Sequence, residues 1–106
     1  MRTLRVTDYT RKPGGRYPDD GQSPGSEFRD KYLAPAFEAA QREGAMLLID
    51  LDGTAGFASS FLEEAFGGLA RRFGIDKVLA GIRLKSDREP YLIRDIIDFY
   101  IPEAND

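Results

Sequence analysis

Residues 47–66 read LLIDLDGTAGFASSFLEEAF, and the succession of residue types in this stretch decides the fold. It begins inside an apolar run, Ala45 to Ile49, that has no polar alternation. A continuous run this short predicts a strand covered on both faces, as in the middle of an α/β sheet. Asp50-Leu51-Asp52-Gly53-Thr54 follows at its C-terminal end, where sites form in open α/β sheets. Ser59 and Ser60 then open a helix. Ser60-x-x-Glu63 has the spacing of a capping box, and Leu62, Phe66, Leu69 and Phe73 recur on one face. Glu63 and Glu64 at the start and Arg71 and Arg72 at the end complement the helix dipole. Gly74 supplies a left-handed stop. Gly67-Gly68 goes against this pattern. Each glycine costs about 1 kcal/mol relative to Ala in a helix interior, so the pair implies that the sheet or a partner approaches that face closely.

Toward the N-terminus, Leu4 and Val6 alternate with Thr3, Arg5 and Thr7, predicting a half-buried strand over residues 3–7. From Tyr9 to Gly25 there are four Gly and three Pro. This is turn composition, and it predicts a long loop over 9–25, either a hairpin-like excursion with room for a short strand near Arg16 and Tyr17 or a disordered surface loop. Arg16, Asp19, Asp20 and Ser23 stand between its glycines, either as ion pairs that pin the loop or as part of a polar surface with the Asp50 strand end. A helix then opens at Ser23-Pro24 or Ser26, with Glu27 in its first turn. Phe28, Tyr32, Leu33, Ala36, Phe37 and Ala40 form its apolar stripe, Pro35 should kink or split it, and Gly44 ends it.

Toward the C-terminus, Val78 to Lys85 holds a strand centred on Ile82–Lys85 whose alternation suits an edge. Ser86 or Asp87 caps a last helix with Pro90 in its first turn. Leu92, Ile93, Ile96, Ile97, Tyr100 and Ile101 form its apolar face, and Pro102 stops it. The whole is a single α/β domain over 1–106, with a small mixed sheet of about four strands, three main helices and right-handed crossovers.

The chain has 106 residues, 15 Lys plus Arg against 18 Asp plus Glu, a net charge of −3, and no Cys, His or Trp. This excludes disulfides, thiolate zinc sites, cysteine nucleophiles, Ser-His-Asp triads and histidine metal ligands. No metal site or cofactor is expected. The charge balance speaks against nucleic acid as a partner. No apolar run is long enough for a membrane span, and the N-terminal MRTLRVTDYTRK has no apolar secretory core. The expected compartment is the cytoplasm.

Two resemblances meet in residues 47–66. DLDGT after an apolar strand resembles the first motif of haloacid-dehalogenase-type phosphatases. That resemblance implies Asp50 as nucleophile, Asp52 as general acid, and both as magnesium ligands. Only 52 residues follow Thr54 (106 minus 54), which leaves little room for the remainder of such a sheet.

The wider resemblance is to the STAS domain of anti-sigma-factor antagonists, in which an apolar strand ends in Asp and a loop leads to paired serines opening a helix. Asp50 matches the strand-end Asp, and Ser59-Ser60 match the pair. Ala58 stands where that pattern has Asp, and Phe61 where it has Gly. GGRYPDDGQSPGSEFRDKYLAPAF together with DLDGTAGFASSFLEEAFGGL is similar to a STAS-like family of uncharacterised function. Its members share a Gly-x-Arg, Asp-Gly, Ser-x-Gly, Phe-Arg stretch and an SSFLEEAFGGL helix. The resemblance implies a STAS-like fold and a non-enzymatic interaction and regulatory module. It implies a protein partner, a histidine-kinase-like ATPase or serine kinase, with Ser59 as the phosphorylated residue and Ser60 beside it. The residues themselves leave capping of the helix as the alternative role for both serines. The expected contact surface is Gly56, Phe57, Ser59, Ser60, Phe61 and Glu64, with Gly67-Gly68 permitting close packing.

Overall fold

The Leu47–Asp50 segment forms the central strand of a parallel sheet. The computed structural model describes residues 1–14 and 24–104. Among them are three strands, β1 (Arg2–Arg5), β2 (Leu47–Asp50) and β3 (Ile82–Lys85), in the order β1-β2-β3. Both pairings are parallel, and Leu4, Ile49 and Leu84 form one rung and Arg5, Asp50 and Lys85 the next. Among the described residues the sheet is therefore parallel. The short strand expected near Arg16 and Tyr17 falls outside the described residues.

Among the described residues four helices accompany the sheet. α1 runs through Gly25–Phe28, a π-helical turn Arg29–Leu33, and Ala34–Glu43. α2 has the same plan, Ser59–Leu62, a π-helical turn Glu63–Gly67, and Gly68–Phe73. α3 is Ile75–Gly81, and α4 is Tyr91–Asp95 continued by a π-helical turn Ile96–Tyr100. α1 is interrupted at Pro35 rather than uniform. The wider π turn lies just ahead of it, where Ala34 N–H reaches back to Arg29 C=O, so the helix continues past a residue that cannot donate. Gly44 ends α1 in the left-handed conformation at φ 66°, as expected.

The expected strand from Val78 is helix as far as Gly81. Ile75, Val78, Leu79 and Ile82 recur at helical spacing and turn Val78 into the core. This segment, α3, is the helix beyond the three expected.

One core joins the elements. Phe28, Phe37, Phe61 and Phe66 are fully buried with Leu47, Ile49 and Ile82 from the sheet. α1 and α2 pack on each other and α4 packs on α2. Leu47 and Ile49 are buried, but Leu48 and Asp50 are only half-buried, and Thr3, Arg5 and Arg83 are exposed. β2 is thus fully buried on one face and half-buried on the other. Its unbroken apolar run concealed a strand whose Leu48 points to the more open side. No described helix is long and apolar enough to cross a membrane.

Candidate functional site

The loops at the C-terminal end of the sheet are organised around the Asp52 carboxylate. Leu51 N–H still bonds to Lys85 C=O at 2.8 Å, so β2 and β3 leave the sheet side by side. Asp50 Oδ1 then accepts from Asp52 N–H at 2.9 Å, an Asx turn that bends the chain. Gly53 completes the bend at φ 92°, with Thr7 Cγ2 3.0 Å from where a Cβ would sit. Asp52 is thereby aimed at the β3–α4 turn. It accepts from Asp87 N–H at 3.0 Å on both oxygens, Arg88 N–H at 3.1 Å and Lys85 Nζ at 2.9 Å. These donors, first the Asp87 amide and then the Lys85 ammonium, hold its pKa down to about 2. Lys85 also pairs with Asp87 at 3.0 Å, and its ammonium is held well above its ordinary range by Asp52 and Asp87.

The turn that Asp52 grips is closed by Ser86. Its hydroxyl donates to Glu89 C=O at 2.9 Å and accepts from Glu89 N–H at 3.3 Å. The capping hydroxyl expected here exists, but it fixes the turn ahead of α4 rather than the first turn of the helix, whose N-cap is Pro90.

The loop from Thr54 to Ala58 is tied to the segment after β1. Ala55 N–H bonds to Arg11 C=O at 2.7 Å and Ala58 N–H to Pro13 C=O at 3.3 Å. The beginning of the Gly/Pro-rich loop therefore meets the loop after Asp50. Arg16, Asp19, Asp20 and Ser23 lie outside the described residues. Gly56, at φ 131°, makes the turn, and Phe57 follows half-buried, its ring 5.9 Å from Phe61. Phe61 in turn stacks on Phe28 at 5.6 Å, and Phe28 meets Tyr9 at 5.7 Å.

α2 starts differently from its sequence pattern. Its N-cap is Ala58, and no side chain caps it. Ser59 and Ser60 are the first two helical residues, so the capping box is not formed. Glu63 instead bonds Arg71 at 2.7 Å. Ser59 is exposed and Ser60 half-buried. Phe61 is fully buried, pointing inward onto Phe28 rather than outward beside Ser59. Glu64 is also inside, 7% exposed and paired with Arg29. Of the expected contact surface, Gly56, Phe57, Ser59 and Ser60 are accessible, and Phe61 and Glu64 are not.

The structure answers the Gly67-Gly68 anomaly from within the chain. A Cβ on Gly67 would lie 2.7 Å from Glu63 Oε2 and 3.3 Å from Arg71 Nη1, the two groups that pair across it, and 3.2 Å from Tyr100 C=O of α4. A Cβ on Gly68 would lie 2.5 Å from Arg29 Nη1. Each glycine makes room for an ion pair, and Gly67 also for the Tyr100 carbonyl, so the helices and not the sheet are what approach within the chain. Arg29 and Glu64 carried no assigned roles as a pair. The signal available in the sequence was a glycine four residues after each of two glutamates, Glu63-Gly67 and Glu64-Gly68.

Among the described residues no group of three or more acidic side chains is placed to hold a metal ion. Asp50 and Asp52 point to different tasks, one bending its own loop and the other fastening the next.

Residues 24–92 match the family model of the STAS-like domain of unknown function, and the chain belongs to that family. The match takes in α1, β2, the serine pair, α2, α3, β3 and the turn bound by Asp52. No curated protein and no solved structure matches the chain.

Proposed function

We propose that the protein is a non-enzymatic interaction and regulatory module. It docks a protein partner, a histidine-kinase-like ATPase or a serine kinase, through Gly56, Phe57, Ser59 and Ser60, and phosphorylation of Ser59 or Ser60 switches that contact. The observation that supports this is the start of α2. Its two serines sit on the first helical residues with no capping duty, and Ser59 is exposed. A phosphoryl group there would lie near unsatisfied helix amides. It would add about −1.5 to −2 charge beside the half-exposed ring of Phe57, on the surface a partner would touch.

The phosphatase reading draws less support from the same geometry. A general acid must carry a proton at working pH, whereas Asp52 is held near pKa 2 by four donor contacts and is spent on the β3–α4 turn. The test is co-expression with an ATPase or kinase encoded beside it, followed by intact-mass measurement and co-purification. One added phosphoryl group, lost in Ser59→Ala or Ser60→Ala, supports the switch. A complex that forms without modification retains the module and removes the switch. Magnesium-dependent hydrolysis of a generic phosphate ester, abolished by Asp50→Asn, overturns the reading.

A further inference from the structure

A strand in a parallel ladder uses alternate residues to bond any one neighbour. In β1 the inward set is Arg2 and Leu4, since Arg2 N–H bonds Met46 C=O at 2.9 Å and the register sets Arg2 beside Leu47 and Leu4 beside Ile49. Thr3 and Arg5 therefore turn their backbone groups away from the sheet. Both residues are exposed. Among the described residues no hydrogen bond takes the Thr3 amide, the Thr3 carbonyl or the Arg5 amide.

The edge at β3 is different. Leu51 N–H bonds Lys85 C=O, so Arg83 and Lys85 face β2 while Ile82 and Leu84 face outward. There the chain blocks its own edge, because Arg83 Nη1 donates to Ile82 C=O at 2.8 Å. An edge with free amides and carbonyls is a template for a further strand, and the sheet keeps such a template at β1.

We propose that β1 pairs antiparallel with β1 of a second copy across a two-fold axis at Leu4, joining the two three-stranded sheets edge to edge. The strand's own residues select this occupant and its register. Antiparallel strands bond through opposed residues that both face outward, so the axis falls on residue 3, 4 or 5. On Arg5 it would set arginine directly against arginine, which like charges disfavour. On Thr3 it would set Arg5 against Met1, outside the strand. On Leu4 it sets Thr3 against Arg5 twice, so both outward residues of each copy exchange bonds. It also brings together the two copies of Leu4, the one apolar residue of β1 and only half-buried in a single chain. One short strand makes a small contact, so the dimer is weak.

The chain has no cysteine, so Leu4→Cys can form only an intermolecular disulfide. Opposed residues of a non-hydrogen-bonded antiparallel pair have Cα atoms about 4.5 Å apart, within disulfide reach. Mild oxidation of Leu4→Cys should give a cross-linked dimer on non-reducing electrophoresis, while Arg83→Cys, on the other edge, should stay monomeric. Sedimentation equilibrium of the wild-type chain over a concentration series should show monomer and dimer together. Thr3→Pro removes an outward amide and no bond to β2. It should keep the wild-type far-UV circular dichroism, weaken the dimer by about tenfold or more, and slow the Leu4→Cys cross-link by a similar factor. A wild-type chain that is monomeric at every concentration overturns the proposal. So does a Leu4→Cys chain that does not cross-link, or an Arg83→Cys chain that cross-links as fast. A dimer that folded Thr3→Pro leaves unchanged overturns it as well, and if Thr3→Pro loses the fold the two cysteine variants decide.

Discussion

Arg29 lies across Gly68 and brings its Nη1 to 2.5 Å from Glu64 Oε2, while the same nitrogen donates to Glu64 C=O at 3.1 Å. The contact joins α1 to α2 where each helix widens into a π turn, Arg29–Leu33 facing Glu63–Gly67. It also joins the two halves of the sequence pattern, Phe28-Arg29 and the SSFLEEAFGGL helix, 35 positions apart. Asp30 shares the guanidinium through Nε at 2.9 Å.

Removing one charge should therefore cost more than removing both. Breaking a fully buried pair costs about 3–5 kcal/mol, because the remaining charge is left uncompensated. Arg29 is 17% exposed and keeps Asp30, so Glu64→Gln is expected below that range, at about 2–3 kcal/mol. Urea unfolding reads it. If the Arg29→Met, Glu64→Gln double variant is no more stable than the sum of the singles predicts, the pair is not coupled.

The glycines make a sharper test, because helix propensity and packing disagree in sign. Gly68→Ala gains about 1 kcal/mol of intrinsic propensity. It also places a Cβ 2.5 Å from Arg29 Nη1 and 3.0 Å from its Cδ. Net destabilisation of about 1–3 kcal/mol is expected, as for other overpacked sites. Gly25→Ala should be worse, since its Cβ meets backbone, Phe61 C=O at 2.5 Å, which cannot swing aside. A stabilised Gly68→Ala would show that Arg29 moves at no cost.

These contacts explain what was legible in the sequence. The apolar run Ala45–Ile49, the stripe of Phe28 and Phe37, and the Gly44 stop were readable because each depends on spacing along one element. Gly67-Gly68 was readable as an anomaly but not as a solution, since what fills the space at Gly68 is Arg29, 39 positions away, and at Gly67 the Glu63–Arg71 pair and the Tyr100 carbonyl. Leu48 misled for a similar reason. A strand with an apolar residue on its open face reads like one buried on both sides. The serine pair was found, yet its role was not, because the step from Ala58 to Ser59 as the helix start is one residue and depends on the loop being held by Pro13.

Three serines in similar sequence settings should now behave differently. Ser59→Ala and Ser60→Ala remove no cap, and each is expected to change stability by less than about 0.5 kcal/mol, as at ordinary surface positions. Ser86→Ala removes both bonds across the turn to Glu89 and should cost about 1 kcal/mol. Thermal unfolding of the three variants side by side is sufficient. A loss at Ser60 matching that at Ser86 would restore the capping role and leave the phosphorylation switch without a free hydroxyl.

Asp52 gives the pH dependence. Its folded pKa, about 2, lies below the ordinary 3.8. The carboxylate's contribution to stability is thus fully present above the unfolded value and is lost as pH falls through the folded one. Between pH 3.8 and 2 the unfolded chain takes up the proton first, and the grip on the Asp87 and Arg88 amides is lost in that window. Carboxyl-carbon NMR should report a midpoint near 2 for Asp52. Lys85→Met should raise it only part of the way, because the Asp87 amide, the largest cause, remains. Asp52→Asn should loosen residues 86–88 in hydrogen exchange while the Asp50 Asx turn persists, since that turn uses the backbone N–H of residue 52. A wild-type midpoint near 3.8 would mean that the donors do not close on the carboxylate. In that case Asp52 would be available for proton transfer, and the main geometric objection to a phosphatase would disappear.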